Sequence, residues 1–488
     1  MISSLQSILK IYWTWGTAQN RHILDLACLT ALAALVIFPG LGQLRTCVSH
    51  EVLHAETIRE MAENGNYVET KILGKRIPDK PPVMHAPAAM LTHWLGSPSM
   101  TIARLPSAIA GLLGILATYG IGLALLDRRT ALLGAVALLG IPGYIMLARQ
   151  AIPDMTMCAG ILFSCLFLVL GMRSVKPSTR ALYLAAAGFS AGIAVLTKGP
   201  VGLILPVFFV ALIPFCRPEF KRPRLGWLVF SVGLLVALLI WAIPAYLLDN
   251  GVYLREVVFQ PDLNVAAKVT YKPLYLLFAY AVLHSLPLSI FLPIAILDWR
   301  RYAYSPFLAL ALAILLFFVC VPKKRDHYLL PMYPFLTLAL AASIVRHSDT
   351  SRVIRRTAWT LVPVSVVLFP IFFTVIQPLI TPDEDPEILF AKESLPIIGP
   401  NAQVYCILVH HEFLAWVGRR HEGIFRIKLE SPDEVDQLRH APKGAYILTD
   451  RKVVDDLLEA TGPLPLTEVL SRPVKRKTWV LFRLGDGS

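Results

Sequence analysis

Apolar runs of membrane-spanning length recur along the chain, separated by short polar junctions. A helix of about 20 apolar residues crosses a bilayer. The pattern predicts about eleven such spans, at approximately 24–43, 104–126, 131–148, 155–172, 181–197, 200–215, 226–247, 274–297, 304–321, 328–345 and 358–380. The segment before the first span is long for a signal peptide, and no small-residue cleavage site follows, so this span is interpreted as a retained helix. The predicted fold is an all-α polytopic membrane domain over residues 1–382, with amphipathic helices in a first outer loop at about 44–103.

The pattern changes after residue 382, where alternating apolar and polar positions replace the long apolar runs. Residues 403–408, 445–448 and 477–483 alternate in the way that predicts strands. Ser431–His440 is predicted to be a helix, with Ser431 as N-cap and Glu434 completing a capping box. The sequence therefore predicts a small C-terminal α/β domain over residues 383–488.

Composition and charge agree with a membrane protein. Hydrophobic residues make up 56% of the chain and charged residues 16%, which excludes an ordinary soluble domain. Lys and Arg concentrate in alternate short junctions, which predicts a cytoplasmic N-terminus and an extracytoplasmic C-terminal domain in a cell (inner) membrane. This topology explains most of the net charge of +13. Membrane lipids are therefore expected partners, and nucleic acid is not implied.

Several basic residues fall on the predicted outer face, against the usual charge bias. One explanation is that their side chains reach lipid headgroups. The other is a shared site for an anionic ligand, such as a lipid-linked phosphate sugar, because ammonium and guanidinium groups bind phosphate through charge-assisted hydrogen bonds. We favour the shared site, with Tyr328 as a further hydrogen-bond donor. Its predicted basic members are Lys80, Lys198, Arg255, Lys324 and Arg325.

The first outer loop carries an unusual polar cluster that begins His50-Glu51-Val52-Leu53-His54. Ionisable residues placed at a membrane boundary usually serve chemistry or ion binding. On a helix, His50 and His54 would share a face, as in zinc proteases. That chemistry needs a third ligand, for which His327, His410 and His411 are loose candidates. The later charges of the cluster are open to a plainer interpretation, a solvated helix face with ion pairs formed by Glu56, Arg59 and Glu60.

In this loop and in several later segments, the chain resembles the GT-C membrane glycosyltransferases of the aminoarabinose-lipid A transferase and protein O-mannosyltransferase kind. The family's first loop opens Asp-Glu-x-x-Tyr-Ala-Glu-Ile-x-Arg-Glu-Met, and the stretch from His50 to Met61 is similar to it. Asp79-Lys80-Pro81-Pro82 echoes the family's Glu-Lys-Pro-Pro. The order of the remaining matches also follows the family, and these are Ala103–Ser107, Asp154, Thr197-Lys198-Gly199, Lys324 and Tyr328.

The resemblance implies transfer of a hexosyl or pentosyl group from a polyprenyl-phosphate donor to an extracytoplasmic lipid, glycan or protein, with inversion at the anomeric carbon. The family's leading Asp is His50 here. Imidazole can act as a base near neutral pH, so His50 and Glu51 are both candidate bases. Glu51 is favoured, because it keeps a carboxylate in the loop. Asp154 is expected to position the acceptor or to assist the base. No cofactor is certain, and a divalent metal bound by His50 and His54 stays open.

Three other functions remain as alternatives to the transferase. A lipid-linked sugar transporter or flippase would need alternating access, usually built from inverted repeats, and none is visible in the sequence. Replacement of the family's Asp by His50 is compatible with an inactive relative. A membrane zinc protease is the remote alternative, because His50 and His54 fall on the family's Asp and Tyr positions.

Overall fold

The computed structural model describes residues 18–43, 49–77, 80–216, 226–259, 273, 275–298, 305–320, 325–381, 384–419, 422–429 and 431–485. Helices dominate the first four-fifths of the chain. In chain order they are α1 (Ala18–Ile37), α2 (Ser49–Asn64), α3 (His85–Leu95), α4 (Met100–Leu125), α5 (Arg128–Leu139), α6 (Pro142–Ala148), α7 (Pro153–Arg173), α8 (Pro177–Lys198), α9 (Val201–Cys216), α10 (Gly226–Asp249), α11 (Val252–Phe259), α12 (Tyr275–Leu283), α13 (Leu292–Leu297), α14 (Ser305–Cys320), α15 (Met332–Ser348), α16 (Arg352–Ile371) and α17 (Gln377–Ile380). A short hairpin of β1 (Lys71–Ile72) and β2 (Lys75–Arg76) follows α2.

The C-terminal part alternates helices and strands. Its elements are α18 (Pro386–Ile398), β3 (Val404–Ile407), α19 (Glu412–Gly418), β4 (Ile424–Ile427), α20 (Pro432–Arg439), β5 (Tyr446–Asp450), α21 (Val454–Thr461), β6 (Leu466–Val474) and β7 (Lys477–Leu484). The sheet has the strand order β4-β3-β5-β7-β6. β3 pairs in parallel with β4 and β5, while β7 pairs antiparallel with β5 and β6. The predicted strands and α/β character are therefore confirmed.

The predicted capping box is wrong. Ser431 occupies the N-cap position of α20 but its side chain makes no capping hydrogen bond. The carboxylate of Glu434 instead accepts a hydrogen bond from the backbone N–H of Lys428, at 2.6 Å. The acidic group therefore ties the preceding loop to the helix rather than closing on the N-cap residue.

Five helices in the described residues are long and apolar enough to cross a membrane, namely α4, α7, α8, α10 and the segment Arg352–Ile380. Two bent pairs bring the number to seven if each is one span. α5 and α6 meet at 65°, and the pair Tyr275–Leu283 and Leu288–Leu297 meets at 104°. Pro142 and Pro287 lie at these breaks, where proline removes a backbone donor. The multi-pass helical character is confirmed, and the number eleven stays a prediction.

The chain forms two compact units, and each is built from three separate segments. Unit 1 comprises residues 1–41, 106–244 and 262–375, and unit 2 comprises residues 42–105, 245–261 and 376–488. Unit 1 contains most of the apolar helices. Unit 2 contains the first loop predicted from the sequence together with the C-terminal sheet.

Unit 1 is held by helix packing and by a buried polar group on α1. The Asp25 side chain is fully buried and accepts hydrogen bonds from both Nε and Nη2 of Arg128, each at 2.6 Å. It also accepts one from the hydroxyl of Tyr119, at 2.6 Å. Three donors compensate the desolvation of this carboxylate, and they fix α1 against the start of α5.

Candidate active site

The first predicted site residue, Glu51, lies in the opening turn of α2 in unit 2 and is fully buried. Arg104 approaches it as a two-pronged donor, with Nε 2.6 Å from Oε1 and Nη2 3.0 Å from Oε2. The remaining Nη1 of Arg104 donates to the carbonyl of Gln43, at 2.7 Å. Such bidentate pairs are strong and directional. Glu51 therefore ties the beginning of α2 to the beginning of α4.

His50 precedes Glu51 and is exposed. Its ring centroid lies 5.2 Å from that of His54, one turn further along α2. His54 is buried, and its Nδ1 lies 2.9 Å from Nε2 of His85, at the start of α3. One of these two nitrogens must carry the shared proton. The motif residues thus form a row from an exposed imidazole to a buried pair.

This row does not complete a metal site within the described residues. Those residues contain no group of three or more His, Cys, Asp and Glu side chains placed to hold a metal ion. The third ligand required by the zinc-protease hypothesis is therefore not found in the part of the chain that the structure describes.

Glu56, Arg59 and Glu60 of α2 are buried, so the predicted solvated helix face is wrong, although Arg59 and Glu56 do form a predicted ion pair. Arg59 donates Nε to Glu56, at 2.9 Å, and Nη1 to both oxygens of Glu63, each at 2.7 Å. Burial raises the pKa of Glu56, while the adjacent guanidinium acts in the opposite direction. Glu60 accepts from the backbone N–H groups of Leu73 and Gly74, at 2.5 and 3.2 Å. These charges build the loop, since they join α2 to the β1–β2 turn.

Two predicted phosphate-binding residues also belong to unit 2. Lys80 is half-buried in the loop before α3, and Arg255 is exposed on α11. Two hydrogen bonds link the segment from Thr70 to Arg76 to Tyr253 on α11 and to Asp249, the last residue of α10. The Tyr253 hydroxyl accepts from the backbone N–H of Thr70, at 3.1 Å, and Arg76 donates to Asp249, at 2.8 Å.

Unit 1 brings three predicted residues together at neighbouring helix ends. Asp154, in the first turn of α7, forms an ion pair with Lys198, the last residue of α8. The Lys198 ammonium also lies 4.7 Å from the centroid of the Tyr328 ring. A carboxylate at a helix N-terminus and an ammonium at a C-terminus are both favoured by the helix dipoles. The ammonium is therefore held by a carboxylate on one side and an aromatic face on another.

The remaining predicted residues lie just before this ring. Arg325 is half-buried and directly precedes a short 3₁₀ helix, Asp326–Leu329, that carries Tyr328. Lys324 falls outside the described residues. The cluster formed by Asp154, Lys198 and Tyr328 is hereafter called the lysine cluster.

Solved structures of ArnT share this fold. ArnT from Cupriavidus metallidurans in the apo state superposes with a TM-score of 0.72 at 17% identity, over 96% of this chain and 98% of that one. The same protein bound to undecaprenyl phosphate gives a TM-score of 0.69. The predicted resemblance to GT-C glycosyltransferases is confirmed.

Sequence comparison agrees with this fold. Residues 79–241 match the family described as dolichyl-phosphate-mannose-protein mannosyltransferase. The chain is 25% identical over 304 residues to an undecaprenyl phosphate-alpha-4-amino-4-deoxy-L-arabinose arabinosyl transferase of Shewanella sediminis. The matched region covers 60% of this chain and 55% of that relative, so the chain spans about half the length of this curated relative. A protein of the same description from Yersinia enterocolitica is also 25% identical to this chain, over 302 residues.

Sequence reasoning missed two partners that organise the site residues. Arg104 was visible only as part of a family motif, although an arginine near the start of an apolar helix signals a buried acidic partner. His85, the second partner, is buried against His54. Both partners lie more than 30 residues from the residue they contact, which local patterns do not reveal.

Proposed function

We propose that the protein transfers a sugar from a polyprenyl-phosphate donor to an acceptor on the extracytoplasmic side of a cell membrane. The observation that carries this proposal is the lysine cluster, in which one ammonium is oriented at the ends of two helices. The ArnT fold supports it, since that protein has been seen with undecaprenyl phosphate. A hexosyl or pentosyl group is the expected cargo, and a lipid, glycan or protein the expected acceptor.

The proposed reaction is an in-line displacement at the anomeric carbon. The acceptor oxygen bonds to that carbon while the bond from carbon to the phosphate oxygen breaks, and the carrier leaves as polyprenyl phosphate. Lys198 and Arg325 would bind the phosphate and stabilise its developing charge, with Tyr328 donating a hydrogen bond. Lys80, Arg255 and Lys324 remain predicted contributors to phosphate binding. Asp154 would hold the Lys198 ammonium in position.

The acceptor proton must pass to a base. Glu51 is buried, and both of its carboxylate oxygens accept hydrogen bonds from Arg104. Proton transfer to Glu51 would therefore break a bidentate pair. His50 is exposed on the same turn and its imidazole is basic near neutral pH. Accessibility therefore favours His50 as the base, with Glu51 as the group that orders the turn carrying it.

Transfer is tested with purified protein in vesicles supplied with radiolabelled polyprenyl-phosphate sugars and a membrane extract as acceptor. The transferase should release unglycosylated carrier lipid and label an acceptor. Movement of intact donor across the vesicle without bond cleavage would instead indicate a transporter. Lys198→Met should abolish most of the release, and Lys176→Met, at the opposite end of α8, is the matched control.

Membrane sidedness is tested separately by cysteine labelling. Cysteines placed at Asn66 and Asp436, both in unit 2, should react with an impermeant reagent added from outside the cell. Protection of either position until the membrane is permeabilised would contradict the proposed extracytoplasmic location.

A further inference from the structure

A cavity of about 420 Å³ lies within unit 1, away from the lysine cluster. It is enclosed by α5, the end of α15 and the start of α16. Its volume falls in the range of small-ligand sites. The walls are mainly aliphatic, with Leu132, Val136, Ile344 and Val362 among them.

The mouth of the cavity is basic. Arg129 lies in the first turn of α5 and Arg355 in the first turn of α16, and both are exposed. The Arg355 guanidinium makes no hydrogen bond or ion pair with any residue that the structure describes. Asp349 is the acidic residue of the lining, so the two arginines leave a net positive charge. Asp127 and Ser351 cap the two helices whose N-termini begin here.

The cavity adjoins a surface suited to lipid. α16 exposes a series of large apolar side chains, Val353, Trp359, Val364, Val367 and Leu368. Trp359 also lines the cavity and is 63% exposed. Tryptophan is enriched where the hydrocarbon region meets the headgroups. An occupant can therefore enter sideways from the bilayer, with its polar end at the arginines.

We propose that this cavity binds one anionic phospholipid, with an acyl chain along the aliphatic walls and the phosphodiester at Arg129 and Arg355. Basic pockets between transmembrane helices are suited to anionic headgroups. A soluble anion would leave the aliphatic walls uncovered, whereas a phospholipid matches both the walls and the charge. The site is independent of the proposed transfer reaction.

Native mass spectrometry of the full-length, detergent-purified protein tests this. It is titrated with phosphatidylglycerol or with phosphatidylcholine of the same acyl chains. Phosphatidylglycerol should bind at least ten-fold more tightly. A basic residue near a membrane surface contributes about five-fold to binding of anionic lipid, so Arg355→Gln should weaken phosphatidylglycerol binding about five-fold and the double variant with Arg129→Gln about 25-fold.

The matched control is Arg356→Gln, which removes the adjacent exposed arginine of α16 that does not line the cavity. It should change binding less than two-fold. Val136→Trp should fill the cavity and weaken both lipids while the arginines remain. Equal binding of the two lipids, or equal effects of Arg355→Gln and Arg356→Gln, would overturn the proposal. Thermal unfolding of each variant verifies that it is folded. If Val136→Trp does not fold, the comparison of Arg355→Gln with Arg356→Gln still tests the proposal.

Discussion

Arg104 and Glu51 form a bidentate ion pair in which the carboxylate is completely shielded from solvent. The two N–O distances are 2.6 and 3.0 Å, and the side chains are 6% and 0% exposed. The two residues are 53 positions apart in the sequence, and their pairing joins α2 to α4. Because Glu51 directly follows His50 in α2, the ion pair with Arg104 also fixes the position of the candidate base.

Removing one partner of this pair should destabilise the protein strongly. Arg104→Ala would leave a buried carboxylate without its main donor, which costs about 3–5 kcal/mol. The exposed pair of Arg451 and Glu468, 51% and 41% exposed, is the matched control in the same unit, and Arg451→Ala should cost at most about 1 kcal/mol. Denaturant unfolding in detergent measures both. Similar losses in the two variants would contradict a structural role for the buried pair.

The lysine cluster predicts different effects on donor affinity for its two charged members. Lys198→Ala should weaken donor binding about ten- to a hundred-fold, because it removes a charge-assisted bond of roughly 1.5–3 kcal/mol. Asp154→Asn removes the competing carboxylate and should leave donor affinity unchanged or raise it, while lowering turnover. Equilibrium binding of labelled donor measures both affinities, and release of carrier lipid measures turnover.

A control lysine distinguishes loss of the Lys198 contact with the donor from a general loss of positive charge. Lys176→Ala, at the other end of α8, should bind donor like the parent protein. If Asp154→Asn and Lys198→Ala lowered affinity equally, the pair would act as one structural unit rather than as a phosphate ligand and its holder.

His50 as base predicts a pH profile with a defined sign. The base must be neutral to accept a proton, so activity should fall as the pH drops through an apparent pKa of about 6–7. His50→Ala should lower kcat/KM by a factor of roughly 100 or more. His50→Asp should restore activity and move the acid limb to lower pH, because a carboxylate protonates at lower pH.

Glu51 as the base predicts different results from His50 as the base. If Glu51 is the base, His50→Ala should be mild, and Glu51→Gln should abolish turnover even under conditions in which the variant is fully folded. If Glu51 orders the turn, Glu51→Gln should lower stability and activity together. Metal analysis of the purified protein comes first, because bound zinc would change the meaning of both variants.

His411 predicts a stability change at mildly acidic pH. It is buried beside α19, and burial, with the nearby charges of Arg426, His410 and Lys75, lowers its pKa to about 3. An unfolded histidine binds a proton near pH 6.5. The unfolded state therefore binds more protons between these values, and the free energy of unfolding should fall as the pH drops from 6.5 toward 3.

The measurement is the melting temperature of the parent and of His411→Gln at pH 7 and pH 5. The parent should lose more stability over this interval than the variant. The neighbouring Glu412 has a pKa raised by burial, which acts in the opposite direction and is retained in both proteins. His440→Gln, at an exposed histidine, serves as control. Equal losses in the parent and His411→Gln would show that His411 does not couple folding to pH.

Local sequence patterns predicted the helices and strands of this protein well, but they did not predict which side chains of those elements are buried. The strands Val404–Ile407 and Lys477–Leu484 were readable because apolar alternation is a property of adjacent residues. Burial of Arg59 and Glu60 was not, because it is set by the β1–β2 turn and by helix α19 packing near α2. Hydropathy also reports the length of an apolar run but not its direction. The runs at 131–148 and 274–297 therefore looked like straight spans, although the chain bends at both.

The three-segment construction of unit 2 sets the order in which it can form during synthesis. About 270 residues separate its first segment from its last, a delay of roughly 15–55 s at about 5–20 residues per second. The ion pair of Arg59 with Glu56 joins residues one turn apart and can form at once. Packing of α19 beside α2 must wait until Glu412–Gly418 has been synthesised. The first loop is thus the part of unit 2 exposed longest to proteases and chaperones, and its local ion pairs are what preserve α2 during that interval.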